Sequence, residues 1–144
     1  MTSLEVSDLY RASRASVWAE LASIERHVNW MVDAVAIEFS GEQREGVGTS
    51  FRCTTKVGPF VTKDVMTITD WIENATMGVE HHGIVRGRGS FKLSAEGDAT
   101  RVTWREDLSF PWWALGPIGA RVARPILRAI WTRNLRNLGA RFVQ

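Results

Sequence analysis

Residues 102–142 read VTWREDLSFPWWALGPIGARVARPILRAIWTRNLRNLGARF, and this stretch decides the fold. Val102, Trp104, Glu106, Leu108 and Phe110 fall on one side at period two, the pattern of a half-buried strand. Pro111 stops that strand. Beyond it, Leu127, Ile130, Trp131, Leu135, Leu138 and Phe142 cover one broad face of a long helix, and Arg121, Arg128, Arg133 and Arg136 cover the opposite one. Pro117 suits a first turn. Pro125 lies inside the periodic pattern, removes the hydrogen bond to the Arg121 carbonyl, and predicts a kink or a late start of the regular helix. A strand feeding so apolar a helix predicts a curved sheet closed by a terminal rod, with a hollow between the two.

The same periodicities organise the chain upstream. Leu4 to Arg11 reads as a first strand. Ser13 is placed to cap a helix carrying Val17, Trp18, Leu21 and Ile24, and Ile24 to Met31 reads as a second short helix. Val35, Ile37 and Phe39 alternate as a strand, and Gly41 to Gly48 is a polar turn. Phe51, Cys53, Thr55 and Val57 form the next strand, which Gly58-Pro59 reverses. Asp64, Met66 and Ile68 share a face of the strand that follows, ending at Glu73-Asn74. Met77, Val79 and His81 give a fifth strand, Val85 to Leu93 a sixth and Thr100 to Phe110 a seventh. The order is one strand, two short helices, six strands joined by short reversals, and one long helix. That is an α+β chain with an antiparallel meander.

At 144 residues the chain is expected to form one domain spanning 1–144, and 44% hydrophobic content is enough for a real core. Seven Trp point to a large concave interior or to exposed aromatic contacts. All 16 acidic residues lie at or before Asp107, and six Arg follow it, so the last helix is purely cationic. Such a helix is either a solvated outer face or a surface for an anionic partner. Cys53 is the one cysteine, so no intrachain disulfide and no cysteine-based metal site is expected. The amino terminus lacks a basic region followed by an apolar one, and no run approaches the roughly 20 apolar residues of a membrane span. The expected location is cytoplasmic.

Turn parity predicts which side chains meet. A Gly58-Pro59 loop pairs Phe51 with Met66 and Cys53 with Asp64, on one face. A reversal centred between Glu96 and Gly97 pairs Phe91 with Val102, Gly89 with Trp104 and Gly87 with Glu106. Val79 and His81 share that face only if the loop near Gly83 has odd length, as in a three-residue hairpin with a left-handed glycine. His81 and Glu106 are then about 10 Å apart across the bare strand of Gly87 and Gly89. Those glycines open floor space over which Trp104 can lie.

Glu106 is the sharpest single residue, because an inward carboxylate must pair, protonate or meet water. That suits it either to proton transfer and ligand binding or to a structural pair with Arg or His. His81 is its counterpart, a wall residue or a base. His82 alternates outward and His27 stands alone near a helix, so no metal is expected, and no cofactor either. Cys53 reads as a small buried wall residue. Trp112-Trp113 reads as an aromatic lip over the cavity mouth or against lipid.

With these residues in place, the chain resembles the START-related (SRPBCC), or helix-grip, superfamily, and is most similar to its polyketide cyclase/dehydrase-like branch. The residues that carry the likeness are Val17-Trp18, Trp30-Met31, Gly46-Val47-Gly48-Thr49 with Phe51, and Val57-Gly58-Pro59-Phe60. To these are added His81 with Gly83, Gly87-x-Gly89-x-Phe91, and Trp104-x-Glu106-x-Leu108 leading to Pro111 and Gly116. The resemblance implies a seven-stranded antiparallel sheet gripping the terminal helix, two supporting short helices and a hydrophobic cavity. Such proteins bind lipids, sterols, hormones or polyketides, and a minority catalyse aromatisation and cyclisation. Tyr10 is the one tyrosine, which leaves little phenolic acid chemistry.

The first expectation is therefore binding or transport of a small hydrophobic, lipid- or polyketide-like molecule. Phe51, Met66, Ile68, Val79, Phe91, Trp104, Ile130 and Trp131 would form its walls, with Cys53, Gly87 and Gly89 between them and Trp30 and Trp113 alongside. Asp64, His81, Glu106 and Asn134 would orient its polar end. The alternative is a cyclase/dehydrase-type enzyme with His81 and Glu106 as acid and base. A further alternative is an interaction module, the Arg-rich helix binding an acidic partner or an anionic membrane; a nucleic-acid partner is not expected. The chain is expected as a monomer or homodimer.

Overall fold

A computed structural model describes residues 2–110 and 116–142. The elements are β1 (Thr2–Tyr10), α1 (Arg14–Ala22), a 3-10 turn (Ile24–Asn29), β2 (Ala34–Phe39), β3 (Ser50–Val57), β4 (Phe60–Ile72), β5 (Thr76–His82), β6 (Arg86–Glu96), β7 (Ala99–Ser109) and α2 (Gly116–Ala140). The seven strands form one antiparallel sheet in the order β1-β7-β6-β5-β4-β3-β2. β1 closes on β7, so the chain's first strand and its six-strand meander make a single surface.

Local chemistry accounts for the elements. Ser13 caps α1, its hydroxyl accepting the Ser16 N–H at 3.1 Å. Val17, Trp18 and Leu21 turn inward from that helix. The second short helix is a 3-10 turn shorter than its apolar pattern implied, ending at Asn29 instead of Met31. α2 runs through Pro125 as one helix from Gly116 to Ala140, so the proline neither delays nor ends it. Trp131, Leu135 and Leu138 are buried, Arg121, Arg128, Arg133 and Arg136 are exposed, and the Tyr10 hydroxyl donates to the Leu135 carbonyl. Arg141 pairs with Glu20 at 2.7 Å, tying the end of α2 to α1.

Two register expectations need correction. Val35 does not share the inner face with Ile37 and Phe39: a bulge between Ala34 and Ala36 turns it out to solvent. The β6–β7 reversal turns on Gly97-Asp98, with Gly97 at φ 62° and Glu96 opposite Ala99. It is therefore centred one position later than between Glu96 and Gly97. Every pair slides by two residues: Phe91 faces Trp104, Gly89 faces Glu106 and Gly87 faces Leu108. A slide of two preserves the faces, because the strand period is two. The β3–β4 register matches expectation, Phe51 opposite Met66 and Cys53 opposite Asp64. The β5–β6 loop has the required odd length, three residues between His82 and Arg86.

His27 is buried, and its Nε2–H donates to the Leu21 carbonyl at 2.7 Å. Burial drives its pKa down to about 4 against smaller opposing contributions from that bond and from Glu25 and Glu20. The unfolded imidazole titrates near 6.5, so between those values the unfolded chain holds a proton that the folded one lacks. Stability therefore falls as pH drops through this window, by roughly 3 kcal/mol from His27 alone. Urea melts across the window should show His27→Gln losing less stability on acidification than wild type, by about that amount.

Candidate functional site

The inner face of the sheet carries Leu4 and Val6 from β1, Val102, Trp104 and Glu106 from β7, and Phe91 and Leu93 from β6, all buried. Across β5, β4 and β3 it continues with Met77, Val79 and His81, then Asp64 and Met66, then Phe51 and Cys53. Toward β1 this face is filled by aromatic rings. Trp104 stacks on Trp131 at 5.0 Å between centroids and lies 4.8 Å from Phe91, while Trp30 meets both Trp104 and Phe91 edge-on. The indole N–H of Trp30 has no hydrogen-bond partner among the described residues.

Toward β2 the same face is less covered. The chief partner of α2 in the sheet is β1. Ile37, Phe39, Met66, Val79, Leu127 and Ile130 pack against the core but remain only half-buried. Between the aromatic block and this more open apolar stretch sits a polar cluster. His81 Nε2–H donates to Glu106 Oε2 at 2.9 Å, and Trp104 Nε1–H donates to Glu106 Oε1 at 3.0 Å. Both carboxylate oxygens are thereby held from opposite sides, and Glu106 is buried.

The contact replaces the separation of about 10 Å that the sequence implied. His81 faces Gly87 and Glu106 faces Gly89, so the two stand diagonally across β6 and lean over a strand with no side chains there. A methyl group on Gly89 would overlap the Glu106 carboxylate. The glycine gap is thus not open floor: at Gly89 it is occupied by the carboxylate. Trp104 lies over Phe91 rather than over Gly89. Gly87, at φ 144°, has the Asp107 carbonyl where a Cβ would stand.

Asp64 completes the cluster. It is buried, and Oδ1 accepts the Ile84 N–H at 3.1 Å. Gly83 does not adopt the left-handed conformation expected of it; it is needed because the Asp64 carboxylate occupies the place of its Cβ. Burial pulls the His81 imidazole down, but the Glu106 hydrogen bond, the Glu106 charge and the Asp64 charge outweigh it. His81 therefore titrates above the ordinary imidazole value. Its bond to Glu106 uses Nε2 and leaves Nδ1 as the second ring donor. A cleft of about 770 Å³ lies chiefly on the outer face of the sheet, lined by Glu80, His82, Arg86, Arg88 and Asp107 and touching His81, Gly83 and Gly87.

Asn134 does not join the cluster. Its Oδ1 accepts the Val32 N–H at 2.8 Å and its Nδ2 donates to Asp33 at 2.7 Å, so both amide ends hold the loop before β2. Cys53 lies near the Thr55 hydroxyl at 3.8 Å, and burial pushes its thiol up, which suits an inert wall residue. Phe51 and Ile68 are buried in the core, and Ile130 sits half-buried on α2. Trp113 lies outside the described residues. Leu127 and Ile37 also belong to the half-open apolar face, though neither is among the wall residues expected from the sequence. Their helical and strand periods relative to Ile130 and Phe39 carried that signal. Among the described residues, no group of three or more His, Cys, Asp or Glu is arranged to hold a metal, and no helix is long and apolar enough to cross a membrane.

Comparison with known proteins agrees with this architecture. The sequence model described as polyketide cyclase / dehydrase and lipid transport matches residues 1–143. Among solved structures, the chain is similar to a protein from Thermus thermophilus, with a TM-score of 0.85 and 14% identity over 98% of this chain and 97% of that one. It is similar to the ZhuI aromatase/cyclase from Streptomyces sp. R1128, with a TM-score of 0.72 and 16% identity over 96% and 89%. A START superfamily protein from Mycobacterium smegmatis gives 0.78 and 12% over 97% and 96%. At such identities the likeness establishes the helix-grip fold alone. No curated protein matches by sequence.

Proposed function

This chain belongs to the polyketide cyclase / dehydrase and lipid transport family, and from that premise we propose that it binds a small, mainly apolar molecule through one polar end. The observation that carries this reading is a hydrogen-bonded His81–Glu106 pair set on an apolar face still half-open at Met66, Val79, Leu127 and Ile130. Apolar walls with a few convergent polar groups are the usual make-up of a ligand site. His81, titrating high and with Nδ1 uncommitted to Glu106, would donate to a ligand carbonyl or hydroxyl oxygen. Native mass spectrometry of protein purified from its own host, followed by solvent extraction, should reveal a bound apolar molecule. His81→Leu should weaken its retention by about tenfold to a hundredfold, the worth of one hydrogen bond from a charged donor. A bare polypeptide mass with an empty extract would refute the reading.

A second reading follows from the same pair. An imidazole bonded to one carboxylate and influenced by another can polarise a carbonyl while a carboxylate takes the proton alpha to it. That is the chemistry a cyclase/dehydrase needs on a polyketone-like substrate. Turnover of such a substrate should vanish in Glu106→Gln and in His81→Ala while both remain folded. Full turnover in both variants would remove these residues from any catalytic role.

A further inference from the structure

We propose that one end of the molecule docks on an anionic phospholipid bilayer, with the β3–β4 tip and the first half of α2 entering the headgroup boundary. The strand register defines that end. Val57 faces Phe60, His82 faces Arg86, and Arg86 faces Ser109, so the β3–β4 tip, the β5–β6 loop and the end of β7 lie together. α2 follows β7 and its far half reaches Tyr10, which faces Thr100 at the opposite end of the sheet. The first half of α2 is therefore at the same end as the tip and the loop.

Exposed apolar side chains gather there. Of the eleven large ones exposed among the described residues, six are Phe60 at 73%, Val61, Ile84, Ile118 at 67%, Val122 and Ile126. Ile118, Val122 and Ile126 are four apart and make one outward stripe, opposite the face that buries Trp131 and Leu138. Exposed Lys56, Lys63, Arg86, Arg121 and Arg124 share this end. Of the nearby acids, Asp64 is buried on Ile84, Asp107 is paired with Arg105, and Glu80 stands 3.9 Å from His82. Apolar side chains sharing an end with an excess of cations fit an anionic lipid surface, which takes up both at once. An acidic protein or RNA would satisfy the cations and leave Phe60 and Ile118 without a place.

His81 faces Gly87 beside the β5–β6 loop, so a docked molecule would hold the His81–Glu106 pair near the bilayer. That last step rests on the ligand-binding reading; the docking itself does not. The test is co-sedimentation with vesicles of phosphatidylcholine alone and of phosphatidylcholine mixed with phosphatidylglycerol. Wild type should bind the mixed vesicles and not the neutral ones. Phe60→Ser with Ile118→Ser, and separately Arg121→Glu with Arg124→Glu, should each weaken binding about tenfold or more. Val47→Ser with Ile72→Ser, exposed at the opposite end, should change nothing. Absence of binding to mixed vesicles, or equal loss in the opposite-end pair, would overturn the proposal. So would binding that follows the Arg charges but ignores Phe60 and Ile118. Native mass spectra of the same variants keep the two readings apart, since loss of docking leaves internal occupancy intact.

Discussion

Glu106→Ala is expected to destabilise the fold by about 3–5 kcal/mol, as breaking one side of a buried pair does. The change strands two donors, His81 Nε2–H and Trp104 Nε1–H, that Glu106 now satisfies at 2.9 and 3.0 Å. The pH dependence identifies the cause. His81 has a raised pKa in the folded state, so its pairing stabilises fully below the ordinary imidazole value. That stabilisation is lost as pH rises through the raised value. Denaturant melts should therefore show the gap between wild type and Glu106→Ala widest in mild acid and narrowing in alkali. Glu106→Gln keeps an acceptor for Trp104 and removes the charge, so it should cost less and show a flatter pH profile. Gly89→Ala reaches the same contact by another route. Its methyl group would displace the Glu106 carboxylate, and the pH-dependent increment should disappear although neither ionisable residue has been touched. A Gly89→Ala protein with the wild-type pH profile would show that the pairing tolerates a side chain between its partners.

Much of this fold could be read from alternation alone. Period-two runs placed all seven strands, and the Gly58-Pro59 reversal gave the β3–β4 register residue for residue. Inward placement of Asp64, His81 and Glu106 followed from parity, which survives any slide by two. Parity cannot, however, distinguish a β6–β7 turn on Gly97-Asp98 from one centred a position earlier. That single slide moved Glu106 from opposite Gly87 to opposite Gly89. Side-chain reach did the rest: two long polar groups lean over a glycine strand and meet, where a backbone-to-backbone spacing kept them apart.

Other features were hidden for a different reason. The ties of Asn134 to Val32 and Asp33, and the place of Asp64 against Gly83, join residues far apart in sequence. No local pattern marks a glycine whose Cβ position is taken by a distant carboxylate. The bulge at Val35 is likewise set by pairing with β3, since the Val35, Ile37, Phe39 alternation reads as regular by itself. The aromatic block was legible as composition, in seven Trp, but its geometry was not.

That block makes the second large prediction. Trp104→Ala should cost about 3–5 kcal/mol, the range for removing a large buried aromatic ring. The ring is 4% exposed and contacts Trp131, Phe91 and Trp30, so its removal leaves neighbours that belong to three different parts of the fold. Trp131 lies on α2 and Phe91 on β6, so they cannot both close the gap without moving the helix against the sheet. Trp104→Phe separates the two roles of the residue. It keeps most of the stacked area and loses the indole donor to Glu106, a bond to a charged acceptor worth about 1.5–3 kcal/mol. Denaturant midpoints of the two variants measure the stacking and hydrogen-bonding parts apart. Added indole should restore part of the stability lost in Trp104→Ala, by binding the space left behind, and should do nothing for wild type. If instead Trp104→Ala and Trp104→Phe lose the same amount, the hydrogen bond and not the ring stack holds this end of the interior together.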